Sequence, residues 1–159
     1  MLLIAAIAVC GCSSVAPPGA PAPTTAQPRT AFAESLAIEH QWLNSWFRGT
    51  PVLIAQRDDG VLAVDVPREF CFEPGSSRVK PALAAVLDKV AESLRRRPLA
   101  QLALLAAPDD RAGATTLALQ RAIQVQKHLR DRGVPATRLG QPTTTTAAAV
   151  QLRIGAARP

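Results

Sequence analysis

The chain has 159 residues, of which 48% are hydrophobic and 19% charged, and it carries a net charge of +6. That is enough apolar material for one folded domain with extensions, and it excludes a wholly disordered chain. The positive charge suits anionic lipid or an acidic wall polymer as well as nucleic acid, but aromatic residues make up only 4% and tyrosine is absent, which leaves no stacking platform for single-stranded nucleic acid.

Residues 1–11 open the chain with an apolar run, Met1 to Val9, followed by Cys10-Gly11-Cys12-Ser13. The run is too short to span a bilayer as a helix and has the length of a signal-peptide core. Val9-Cys10-Gly11-Cys12 resembles a bacterial lipobox, in which the cysteine after a small residue is lipidated and becomes the mature N-terminus. Cys12 follows Gly11 and fits; Cys10 follows Val9 and fits poorly. The resemblance implies a lipid anchor, and Ser13, where an aspartate would favour the inner membrane, implies the outer membrane with the domain facing the periplasm. An ordinary secretory signal is the other reading. With Cys10 removed and Cys12 lipidated, Cys71 stands alone, cannot form an internal disulfide, and reads as a small buried hydrophobe. No CxxC or Cys/His cluster is present, so no metal site and no cofactor are expected.

Ser13 to Thr30 is rich in Pro, Ala and Thr; such a segment buries too little apolar area to fold and reads as an extended tether. Ala31 to Arg48 reads as an amphipathic helix, with Phe32, Leu36, Leu43 and Phe47 on one stripe and Ile38, Trp42 and Trp46 beside it. Two roles are open for this helix: packing on the domain, or binding an envelope protein through Trp42 and Trp46. Gly49 and Pro51 stop it. The domain proper is expected over 51–159. Val52–Ala55 and Val61–Val64 flank Asp58-Asp59-Gly60, a hairpin signal, and Phe70 to Ser77 is a short apolar piece followed by a turn. Pro81 opens a helix whose buried stripe is Leu83, Val86, Leu87, Val90 and Leu94. Arg95-Arg96-Arg97 reads as a solvated last turn favoured by the helix dipole.

Leu99 to Ala107 is nearly all apolar, as a strand inside a sheet should be. A polar turn, Asp109-Asp110-Arg111-Ala112-Gly113, then runs into a helix with Ala118, Ala122, Val125 and Leu129 inward, capped by Gly133. Arg121 shares a row with Leu117 and Val125 at the edge of the stripe, so it can point back along the seam to the turn. A carboxylate beside a guanidinium can hold a zwitterion, the acid taking an ammonium and the arginine forking a carboxylate. The plain alternative is a loop Asp and a helix Arg that are simply solvated. Gln141 to Ala149 reads as a Thr/Ala loop, and Val150 to Ile154 alternates as a half-exposed strand should. The fold class is α+β: a mixed sheet with two helices on one face, preceded by an extra helix and hairpin.

Phe70-x-Phe72-x-Pro74-Gly75-Ser76, Val79-Lys80-Pro81, and above all Leu117-x-x-x-Arg121-Ala122-x-x-Val125-x-x-x-Leu129-x-x-x-Gly133-Val134-x-x-x-Arg138-Leu139 carry a resemblance. From about Val61 to Ile154 the chain resembles the C-terminal domain of the OmpA family, which includes peptidoglycan-associated lipoprotein. The resemblance implies a β-α-β-α-β sandwich and a site for diaminopimelate in the peptidoglycan stem peptide. The family's Asp-x-x-Gly turn falls on Asp110-Arg111-Ala112-Gly113 and its Arg-Ala pair on Arg121-Ala122. Asp109 is the other candidate for the acid. The turn here has Ala and Pro where the family has Gly and Thr, and Ala147 to Gln151 replaces an arginine-containing segment. The functional expectation is an outer-membrane lipoprotein that binds peptidoglycan non-covalently. Its alternative is an envelope protein–protein interaction module whose pocket has decayed. No nucleophile, base or metal motif accompanies His40 and His128, so no enzyme is expected.

Overall fold

The computed structural model describes residues 28–110 and 116–156. The leader with Cys10 and Cys12, the tether as far as Gln27, and Arg111 to Thr115 lie outside the described residues. Among the described residues there are three α-helices, α1 (Pro28–Phe47), α2 (Pro81–Arg96) and α3 (Thr116–Asp131), and two short 3-10 turns, Arg68–Phe70 and Ala136–Arg138. Five strands, β1 (Leu53–Gln56), β2 (Leu62–Pro67), β3 (Ala100–Pro108), β4 (Pro142–Thr145) and β5 (Ala149–Ala156), complete the fold. The strands form one sheet in the order β1-β2-β5-β3-β4. β1–β2, β2–β5 and β5–β3 are antiparallel, whereas β3 and β4 run parallel across the α3 crossover. No described helix is long and apolar enough to cross a membrane.

One apolar layer holds the helices to the sheet. Leu62, Val64 and Val66 from β2, and Val150, Leu152 and Ile154 from β5, meet Leu83, Leu87 and Leu94 of α2 and Val125 and Leu129 of α3 in a single cluster. Leu36 and Leu43 of α1 join that cluster, so the extra helix extends the same layer. A fully buried side chain of this size contributes about 1.5–3 kcal/mol. α1 begins at Pro28, three residues inside the expected tether. Its Trp42 is half-buried, while Ile38 and Trp46 point outward. α2 starts with Pro81 at its first position, where the missing N–H costs nothing. α3 ends at Gly133, whose φ of 85° lets its N–H reach the Arg130 carbonyl and that of Val134 reach Leu129, satisfying the last carbonyls.

Three expectations require correction. The Thr/Ala segment 141–149 is not all loop, because Pro142–Thr145 pairs with Leu105–Pro108 as a parallel edge strand. Its threonines are β-branched and suit a strand, and proline is tolerated at the first position of an edge strand. Second, β5 is not half-exposed. It lies between β2 and β3, and Val150, Leu152, Arg153 and Ile154 are all buried. The alternation is real, but the polar face carries an Arg153–Asp65 ion pair to the neighbouring strand. Third, Arg95-Arg96-Arg97 is exposed in part but is not simply solvated. Arg96 and Arg97 reach Glu39 of α1 at 2.7 and 3.0 Å, and Arg95 donates to the Arg132 carbonyl. Glu39 is buried, and a buried carboxylate requires such partners.

The β3 strand sits between β5 and β4, and its register shifts between Leu102 and Leu104. The irregularity allows Leu102 and Leu105, three residues apart, both to be buried opposite Ile154 and Leu152. Cys71, on the connection after β2, is fully buried. Its thiol donates towards the Val66 and Pro67 carbonyls, and burial pushes its pKa up to about 12.

Candidate functional site

β2 and β3 both run antiparallel to β5, so their C-terminal ends fall at the same end of the sheet. The residues after β2 (Arg68 to Ser76) and after β3 (Asp109, Asp110) are brought together there, with the first turns of α3 behind them.

Arg121 is the centre of that junction. Its side chain is 0% exposed. Nε donates to the Ser76 carbonyl at 2.9 Å, Nη1 to the Pro108 carbonyl at 3.0 Å and Nη2 to the Glu73 carbonyl at 3.2 Å. Nη2 also meets Asp110 Oδ1 at 2.8 Å, and the Phe72 ring lies 4.8 Å from the guanidinium carbon. A planar fork with five donors suits such a ring of carbonyls.

Asp110 faces outward from this anchor, its side chain 29% exposed. Its Oδ2 accepts the Gly75 N–H at 2.6 Å. Gly75 has φ of 69°, a left-handed conformation that glycine adopts without penalty. The Gly75 hydrogen bond, followed by the Arg121 contact, holds the Asp110 carboxyl below its ordinary value of 3.8 despite the opposing effect of burial. Asp109 serves the backbone: Oδ1 accepts the Asp110 N–H at 2.6 Å and Oδ2 the Ala118 N–H at 3.1 Å, the latter satisfying an open donor at the start of α3.

In front of Asp110 lies a cleft of about 350 Å³ lined by Arg68, Glu69, Phe72, Pro74, Lys80 and Asp110. Arg68 Nη1 donates to the carbonyls of Asp109 at 2.9 Å and Asp110 at 3.3 Å. Lys80 Nζ is engaged by Glu73 Oε1 at 3.0 Å and the Glu69 carbonyl at 2.9 Å. The cleft thus presents a fixed, partly exposed carboxylate beside cationic groups, an arrangement chemically able to pair with an ammonium and a carboxylate together. No cluster of side chains able to hold a metal occurs among the described residues.

The structure therefore brings Asp110, Arg121 and Asp109 to one place, with different duties. Asp110 is open to a ligand; Arg121 is enclosed by protein; Asp109 holds the turn and the helix start. Arg111, in the same turn, lies outside the described residues. The sequence reading missed Arg68 and Lys80 as cleft residues. The available signal was their place on either side of the Phe70-to-Ser76 motif, at the end of a strand parallel to the one that delivers Asp110.

A layer of helices on one face of a mixed sheet, with an aspartate and a buried arginine at one end, defines the class: a small α+β sandwich domain. The chain belongs to the OmpA family, whose profile matches residues 71–154, more than half of its length. Solved structures agree on the fold. A MotB-like protein from Desulfovibrio vulgaris matches with 17% identity and a TM-score of 0.64 over 82% of this chain and 97% of that one. The periplasmic domain of Helicobacter pylori MotB (residues 90–256) matches with 16% identity and a TM-score of 0.55 over 70% and 83%. The cell wall anchor of the T6SS from Pseudomonas aeruginosa matches with 19% identity and a TM-score of 0.54 over 81% and 99%. At these identities the likeness is one of fold. No curated protein sequence matches the chain.

Proposed function

We propose that this chain binds peptidoglycan non-covalently in the cell envelope, and that lipid on Cys12 tethers it to the outer membrane. The domain then links membrane to wall from the periplasmic side. Asp110 takes the ammonium of diaminopimelate in the stem peptide, and Arg121 acts by holding Asp110 and the surrounding loops in place. The observation that carries this reading is the Asp110 carboxylate: fixed on one side by Gly75 and Arg121, and open on the other to the cleft. Asp109 is the weaker candidate for the acid, because both its oxygens accept backbone N–H groups. Membership of the OmpA family supports the reading, as does a structural neighbour described as a cell wall anchor.

The exposed Ile38 and Trp46 on α1 favour a second reading, an envelope interaction module in which that helix meets another protein. Sedimentation of the purified protein, without residues 1–11, with diaminopimelate-containing peptidoglycan separates the two. The parent is expected to pellet, and Asp110→Asn to bind about tenfold more weakly or worse, the loss of one charge-assisted hydrogen bond. An Asp110→Asn variant that pellets like the parent removes Asp110 from the site. Pelleting by every variant, abolished by salt, marks attraction by the +6 charge. No pelleting by the parent leaves the α1 reading.

A further inference from the structure

We infer that the end of the domain opposite the Asp110 cleft is a docking face for an anionic lipid surface, on which Leu99 enters the headgroup layer while Arg95 and Arg130 pair with lipid phosphates. The inference goes beyond wall binding and rests on the anchoring half of the proposed function, since it names the face that the domain turns to its membrane.

The topology gathers this face from four elements. α2 and α3 both start at the cleft end and finish at the far end. There Arg95 Nη1 donates to the Arg132 carbonyl at 2.6 Å, and Arg138, in the turn after α3, donates to the carbonyls of Leu94, Arg97 and Ala100. β3 begins at the same end. So does α1: its Ala31, Phe32 and Ser35 line a groove of about 410 Å³ together with Arg96, Arg97, Pro98 and Leu99. The segment that leads back from Pro28 to Cys12 therefore joins the domain at this end. Leu99 is 75% exposed, and Pro98 beside it is exposed as well. Residues 94–99 and 130–138 carry six arginines and one acid, Asp131.

Folding accounts for only part of that charge. Basic residues suit the C-terminal ends of helices. Glu39 engages Arg96 and Arg97, Asp88 engages Arg132, and Arg138 is spent on carbonyls. Asp131 is paired with Lys127. Arg95 and Arg130 remain, both exposed and neither with a carboxylate partner among the described residues. Nothing in the packing calls for an exposed leucine at the same end. An apolar tip among guanidiniums matches a lipid headgroup layer, where the leucine leaves water and the arginines stay with the phosphates. An acidic protein would satisfy the charge, but the segment carrying Cys12 enters here, and lipid on that cysteine holds this end at high effective concentration near a bilayer. The cleft lies at the other end of α2, a helix of 16 residues and so about 24 Å long, which lets one molecule hold membrane and wall together.

The test uses the purified protein, without residues 1–11 and without lipid, sedimented with vesicles of phosphatidylcholine alone or of equimolar phosphatidylcholine and phosphatidylglycerol. The parent is expected to bind the anionic vesicles only. Arg95→Gln with Arg130→Gln is expected to weaken binding about fivefold for each arginine removed. Leu99→Gln, at a position too exposed to disturb the core, is expected to weaken it about tenfold and serves should the arginine variant fold poorly. Arg48→Gln with Arg78→Gln removes the same charge from exposed positions at the other end and is expected to bind like the parent. A parent that does not bind the anionic vesicles overturns the inference. An equal loss in the Arg48 and Arg78 variant overturns it in favour of net charge, and Leu99→Gln binding like the parent overturns it because nothing then enters the lipid. A parent held by immobilised poly-L-glutamate but not by vesicles gives the face to an acidic protein and overturns the lipid. Peptidoglycan pelleting of the same variants is read separately: a parent that binds vesicles but not wall leaves this inference standing and defeats the wall reading. Failure of Cys12 to take up labelled palmitate in cells defeats the anchor, and the vesicle result decides the face independently.

Discussion

Taking a guanidinium out of water costs several kcal/mol unless its donors are met, and Arg121 meets that condition with three carbonyls and one carboxylate. Asp110 is thereby both a structural counter-ion and the exposed face of the candidate site, so acid would affect the two roles together. Its carboxyl lies below 3.8 in the folded chain, through the Gly75 hydrogen bond first and Arg121 second. The unfolded group therefore takes up a proton before the folded one does. Its contribution to stability is whole above 3.8 and is lost as the pH falls through the lower folded value. Urea midpoints measured from neutral pH to about pH 3 should fall more gently in Asp110→Asn than in the parent; parallel acid limbs would show that the pair adds nothing. In sequence, the row of Leu117, Arg121 and Val125 places Arg121 on the seam. Its partners were not legible there, because backbone carbonyls from residues 73, 76 and 108 converge only once two strand ends meet.

Glu39, Arg96 and Arg97 form the corresponding junction between elements. α1 and α2 are held by this ion cluster and by cations over indoles: Arg96 lies 3.7 Å from the Trp42 ring centre and Lys89 3.8 Å from that of Trp46. The two partners are not equally dispensable. Removing Glu39 leaves two arginines that are already about one-third exposed and can turn to water. Removing both arginines leaves a carboxylate almost wholly buried. Arg96→Ala with Arg97→Ala should therefore cost about 3–5 kcal/mol, and Glu39→Ala about 1–2 kcal/mol, in urea denaturation. Both tryptophans of the chain lie on α1, so their fluorescence reports its release separately from the circular dichroism of the sheet. Equal losses would mean that Glu39 is not desolvated as its position implies. The helical periods of α1, α2 and α3 were readable because each buries a continuous apolar stripe. The arginine run misled because a charged last turn looks the same in sequence whether it meets water or a carboxylate 57 residues away.

For the molecule as a whole, the decisive element is β5. It forms the antiparallel link between β2 and β3, and those two strands do not otherwise pair. Truncation after Thr145 should abolish cooperative unfolding rather than lower its midpoint, because it removes the centre of the sheet; a sigmoidal urea transition in the truncated chain would contradict this. The sheet's class and the site's neighbourhood were legible from hydrophobic runs and from the Arg121-Ala122 pattern. The position of β5 was not. Val150, Leu152 and Ile154 announce a strand, but alternation describes only the strand's own two faces. Burial of Arg153 comes from Asp65 on β2, a partner chosen by topology. For the same reason Pro142–Thr145 passed as loop, its short parallel pairing to β3 leaving no periodic mark.

The place of β5 also sets an order of events for a chain made or threaded N-terminus first. β2 and β3 emerge with the edges that β5 will bridge still unmatched, and no earlier strand can stand in for it. Unpaired edges invite pairing with other chains. The interval between the appearance of β3 and that of β5 is thus the period of greatest risk, and a chaperone that shields strand edges would have its largest effect there.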